Sequence, residues 1–89
     1  MANNPLLLII EDDAAFARTL QRSFQRRDYE VVLAEGPADL PTLLAERTPD
    51  YAVVDLKLAN SSGLACVETL RAHDPDTAIV VLPMTSRYL

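Results

Sequence analysis

The stretch YAVVDLKL, Tyr51 to Leu58, decides how this chain folds. Its run Ala52, Val53, Val54 is apolar without alternation, which predicts a strand buried on both faces of a parallel sheet, and the run closes on an acid, Asp55. In open α/β sheets ligands bind in the crevice outside the carboxyl ends of the strands, so an acid in that position is a candidate site residue. Taken alone, Asp55 reads equally well as a helix cap or a surface acid. A second stretch breaks the tie. The first apolar run, Leu6 to Ile10, ends the same way, in Glu11, Asp12 and Asp13.

Outward from these two strands the chain alternates strand and helix with short connections. Asp13 is placed to cap a helix in which Phe16, Leu20 and Phe24 recur every four residues with Ala17 beside them, ending near Arg27. Tyr29 to Ala34 is rich in β-formers and predicts the second strand, punctuated by Glu35-Gly36-Pro37. Leu40, Leu43 and Leu44 make a helical stripe, so a second helix is expected over Pro37 to Arg47, with Pro41 tolerable only in its first turn. After the Tyr51 strand comes the polar loop Ala59 to Gly63, in which Ser62 is a candidate cap. A third helix follows, expected to bury Leu64, Val67 and Leu70 and to stop near His73 before Asp74-Pro75-Asp76. Ala78 to Leu82 is a fourth all-apolar strand, ended by Pro83. With right-handed crossovers this β-α-β-α-β-α-β order gives an α/β, flavodoxin-like parallel sheet in strand order 2-1-3-4. The two acidic strand ends then lie side by side.

Composition limits what such a domain can do. At 89 residues, 49% hydrophobic and 24% charged, the chain is one small domain that buries only about two-thirds of its unfolded surface. A formal net charge of −5 argues against nucleic acid or an anionic membrane as a direct partner, since both demand a basic face. Arg22, Arg26 and Arg27 read as a solvated helix face. The single cysteine, Cys66, has no partner for a disulfide and no ligand-spaced neighbour, and reads as a small packing residue. No run is long enough for a signal-peptide core or a membrane helix, which leaves the cytoplasm as the expected compartment. Three carboxylates at neighbouring strand ends repel one another unless a hard divalent cation sits among them, and Mg2+ suits an open, partly hydrated oxygen site.

The motifs LLIIEDD (residues 7 to 13), YAVVDLKL and the loop to Gly63-Leu64 together resemble the receiver domain of bacterial two-component response regulators, over roughly residues 6 to 82. The wording DLKLANSSGL is closest to the redox-responding RegA-like and ActR-like regulators. The resemblance implies that Asp55 is the phosphoacceptor, receiving a phosphoryl group from a histidine kinase with Mg2+. It implies that Asp12 binds the ion directly, Glu11 through water, and Lys57 by its backbone carbonyl. Asp13 falls one residue past the acid pair, as a cap or rim residue.

The chain also departs from the family pattern. A Thr or Ser is usual directly after Leu82, and here Pro83 stands instead. The sequence ends at Leu89, so a fourth helix, a fifth strand with its lysine and a fifth helix are expected to be missing. On this reading residues 1–82 form a partial receiver and 83–89, PMTSRYL, an atypical tail. Three function classes follow: a phosphoacceptor module impaired by these departures, a phosphorylation-independent interaction or dimerisation module, and an enzyme with an aspartyl nucleophile. Haloacid-dehalogenase-like phosphatases carry a second acid two residues after the nucleophile; here that position is Lys57, so no enzyme is expected. The uncharged strand 78–82, with no neighbour beyond it, is expected to pair with another copy as a homodimer or higher oligomer.

Overall fold

The computed structural model describes residues 4–55 and 62–82. Four strands, β1 (Leu6–Ile10), β2 (Glu30–Ala34), β3 (Tyr51–Asp55) and β4 (Ala78–Leu82), form one parallel sheet in the order β2-β1-β3-β4. Helices α1 (Ala14–Gln25), α2 (Leu40–Glu46) and α3 (Ser62–His73) make the crossovers. This is the expected topology, and the expected bounds of β1 and β4 are met to the residue.

Each helix boundary has a local cause. Asp13 has extended backbone and its Oδ1 accepts hydrogen bonds from the backbone N–H groups of Ala15 and Phe16, both at 3.1 Å, which satisfies two of the donors that a helix start leaves open. At the other end of α1 the chain reverses through Asp28, whose φ of 68° is the left-handed conformation that Asp tolerates better than most residues. The segment predicted as one helix from Pro37 divides into a 3-10 turn, Pro37–Asp39, and α2. Pro41 lies in the first turn of α2, where a missing N–H breaks no intrahelical bond.

The sheet has two unequally covered faces. On one, Leu8, Ile10, Ala52 and Val54 pack against Leu40 and Leu44 of α2 and Cys66 and Leu70 of α3. Cys66 is fully buried there, as a small packing residue, and burial raises its thiol pKa. On the other face α1 is the one helix among the described residues that covers the sheet: Leu7, Ile9 and Val53 meet Leu20 and Phe24, with Tyr29 beside them. Tyr29 sits edge-on between Phe24 and Tyr51, with ring centroids 5.5 and 5.8 Å apart.

The buried stripe of α3 corrects the sequence reading. Leu64 is 60% exposed, and the inward positions are Gly63, Cys66, Val67 and Leu70. Of the three expected positions Val67 and Leu70 do face inward; Leu64 does not, because 63, 66, 67 and 70 follow the helical period and 64 points outward. Leu70→Ala is therefore expected to lower unfolding free energy by about 2–5 kcal/mol, and Leu64→Ala by less than about 0.5 kcal/mol. Urea denaturation of the two variants checks the phase.

Candidate phosphoacceptor and metal site

Parallel register brings the two acidic strand ends together. Ile10 pairs with Val54, so Glu11, one step beyond, comes beside Asp55 at the carboxyl edge of β3. Glu11 is also tied to the second strand, its N–H donating to the Ala34 carbonyl at 2.9 Å. Both side chains are almost completely enclosed: Glu11 is 2% exposed and Asp55 1%. Asp12 points to solvent at the rim, and Asp13 turns away to cap α1.

Two buried carboxyl groups in contact cannot both remain charged without an added cation or a shared proton. Burial, helped by hydrogen bonding to Asp55, pushes the Glu11 pKa up to about 8. The backbone N–H of Asp13, donating to Glu11 Oε2 at 2.9 Å, works in the opposite direction, and Asp12 adds a further side-chain hydrogen bond that favours the proton. Among the described residues no three acidic, histidine or cysteine side chains are arranged to hold a metal ion. The donor set is nonetheless of the right kind for a hard divalent cation, being all carboxyl oxygen.

A cavity of about 260 Å³ opens beside Glu11, between the start of α1 and the end of β2, with Arg18, Glu35 and Asp39 at its walls. Sequence reading missed these rim residues. By its spacing Arg18 falls on the outward face of its helix, and the only signal for Asp39 is its position in the turn after β2, where its Oδ2 accepts the Glu35 N–H at 2.9 Å. Lys57 and Pro83 lie outside the described residues.

Comparison of the sequence with known families points the same way as the sheet order and the buried acid pair: the model described as "Response regulator receiver domain" matches residues 7–88. The chain belongs to the response regulator receiver domain family. The receiver match extends through most of the segment after Leu82 that sequence reading set apart. The chain is 44% identical over 82 residues to the photosynthetic apparatus regulatory protein RegA of Rhodovulum sulfidophilum, covering 92% of this chain and 45% of that protein. It is 41% identical over 76 residues to the acid tolerance regulatory protein ActR of Rhizobium meliloti (strain 1021), covering 85% and 39%. The RegA and ActR resemblance read from DLKLANSSGL is thus borne out. The receiver thereby spans less than half the length of these relatives. Among solved structures, a response regulator from Burkholderia pseudomallei with a phosphorylated aspartic acid, a calcium ion and citrate superposes with a TM-score of 0.82 at 35% identity, over 90% of this chain and 47% of that one. No helix among the described residues is long and apolar enough to cross a membrane.

Proposed function

We propose that this receiver accepts a phosphoryl group on Asp55 from a histidine kinase, in the cytoplasm, at a site completed by Mg2+. The observation that carries the reading is the enclosed Glu11 and Asp55 pair at adjacent strand ends, with Asp12 at the mouth. A buried acid pair is a poor structural element, because it must be neutralised, so its place at the functional edge of the sheet favours chemistry. The phosphorylated aspartic acid and calcium of the Burkholderia pseudomallei relative support the same assignment.

On this reading Glu11, Asp12 and Asp55 hold the ion, with the Lys57 carbonyl as a further oxygen donor. When bound, Mg2+ neutralises charge on the transferred group. An Asp55 carboxylate oxygen attacks phosphorus in line, the P–N bond of the donor phosphohistidine breaks as the P–O bond forms, and the imidazole leaves with the electron pair and takes up a proton. A bound divalent ion would favour the ionised form of Glu11 over the protonated one that burial favours. Asp13 holds the start of α1, and hence the acidic turn, in place.

Incubation with acetyl phosphate and Mg2+ tests this. The expected result is a slow gain of one phosphoryl group, labile to hydroxylamine and absent in Asp55→Asn. Labelling that survives Asp55→Asn would move the phosphoacceptor elsewhere.

A further inference from the structure

The two central strands lack the pattern that normally fixes how neighbouring strands align. A slip of one residue turns every side chain to the opposite face, and an alternating strand forbids this by carrying polar residues inward. Leu6–Ile10 is apolar throughout, as are Ala52, Val53 and Val54 of β3, so a slip still sets apolar against apolar along most of the pair. The backbone ladder does not decide the alignment either, because it re-forms at every step. The acid pair works against it: enclosing two carboxyl groups in contact is unfavourable, and any slip of β3 along β1 would part Glu11 from Asp55. The alignment is held from elsewhere.

The contacts that hold it lie at the opposite end of the sheet. Asp50, the residue before β3, grips Leu6 twice: its backbone N–H donates to the Leu6 carbonyl at 2.9 Å, and its Oδ2 accepts the Leu6 N–H at 2.8 Å. Its carbonyl accepts the Ala78 N–H at 3.0 Å, which ties in the start of β4. Beside it the Thr77 hydroxyl donates to the Pro49 carbonyl at 2.8 Å, in a buried hydrogen bond. The two side-chain bonds are specific to one alignment. One step along, Pro49 or Tyr51 would face the Leu6 N–H, and neither carries a carboxylate; a like shift of β4 would bring Asp76 or Ala78 to the Pro49 carbonyl, and neither has a hydroxyl.

We infer that Asp50, with Thr77 beside it, sets the strand alignment that places Glu11 against Asp55, and so acts as a positioning residue for the phosphoacceptor site from the far end of the same strand. Its effect on labelling rests on the phosphoacceptor reading; the alignment is observable without it.

The test compares Asp50→Ala, Asp50→Asn and Thr77→Val with Leu70→Ala, a core variant that is destabilised without touching these contacts. Asp50 is itself exposed, so replacing it leaves no hole in the core. Nuclear Overhauser contacts across β1 and β3 around Ile9 and Val53, which are register partners, report the alignment. Asp50→Ala is expected to weaken them and to add the contacts of a shifted pairing, whereas Leu70→Ala keeps the wild-type set. Labelling of Asp55 by acetyl phosphate, compared at equal folded fraction, is expected to slow by about tenfold or more in Asp50→Ala, since misplacement by about 1 Å costs on the order of 10²-fold. Asparagine keeps an acceptor oxygen and should restore both readouts. Thr77→Val keeps the shape and loses the hydroxyl; it is expected to shift β4 against β3, and it serves if Asp50→Ala does not fold. Wild-type cross-strand contacts in both Asp50→Ala and Thr77→Val would overturn the inference, as would labelling of Asp50→Ala no slower than that of Leu70→Ala. An unlabelled wild type, with contacts that shift as expected in the variants, would instead count against the phosphoacceptor reading and uphold the role of Asp50 in alignment.

Discussion

Glu11→Gln is expected to stabilise the chain in EDTA at pH 8 and to leave it nearly unchanged below about pH 4.5. The folded chain holds a proton on Glu11 up to about pH 8, whereas the unfolded chain releases it near 4.5. Between those values the unfolded state binds fewer protons, so wild-type stability falls as pH rises. Below 4.5 both states are protonated and the contribution is intact; above 8 it is lost. Every tenfold difference in proton affinity between the folded and unfolded chain corresponds to about 1.4 kcal/mol, so wild type and Glu11→Gln come to differ by on the order of a few kcal/mol, a large share of what an 89-residue domain possesses. Glutamine keeps a donor toward Asp55 and never ionises, so its pH profile should lack this decline. Urea midpoints of the two chains from pH 4 to pH 9 measure it, and parallel profiles would show that Glu11 is not the group responsible.

Mg2+ enters the same balance. An ion bound only by the folded state stabilises by mass action, about 2.7 kcal/mol at a hundred times its Kd, and at the proposed site it would compete with the Glu11 proton. Saturating Mg2+ is therefore expected to flatten the wild-type profile, raising Tm most at high pH. Asp12→Ala, which removes the rim carboxylate without disturbing the core, should abolish the response. An equal Mg2+ response in wild type and Asp12→Ala would mean that these acids do not hold the ion.

How much of this is legible in the residues depends on the kind of information each carries. The strand bounds Leu6–Ile10 and Ala78–Leu82 are readable because continuous apolar runs, bounded by acids and prolines, have few alternative structures. The convergence of Glu11 and Asp55 is readable too, since sheet order follows from crossover handedness and register from the two matching strand ends. Leu64 misleads because composition shows which residues are apolar, and only the phase of α3 against the sheet shows which of them face inward. Resemblance implies that Glu11 acts through water, and nothing in the sequence shows its depth. Burial of an acid depends on what α1 and the β2 end bring around it, which no local pattern encodes. The RegA-like wording of the loop after Asp55 is legible only by resemblance.

Pro83→Thr is expected to speed acyl phosphate formation at Asp55 by about 10²-fold, the usual scale for one preorganised donor to developing charge. Asp55, the proposed phosphoacceptor, and Leu82 are register partners at the ends of β3 and β4, and Pro83 follows Leu82 in the sequence. Proline offers neither an N–H nor a hydroxyl. A phosphoryl group on Asp55 would add charge and acceptor oxygens to an enclosed spot, where a missing donor is felt more than in water because no solvent can substitute for it. Threonine restores both a hydroxyl and a backbone donor at this one position while leaving Glu11, Asp12 and Asp55 untouched. Initial rates of acetyl phosphate labelling in saturating Mg2+, with Asp55→Asn as the blank, measure the effect. If the wild type labels as fast as Pro83→Thr, proline at this position is no handicap, and the donor for the phosphoryl oxygens must come from elsewhere in the chain. A rate gain together with new protection from hydrogen exchange in β4 would show further that the hydroxyl couples the site to the strand beside it.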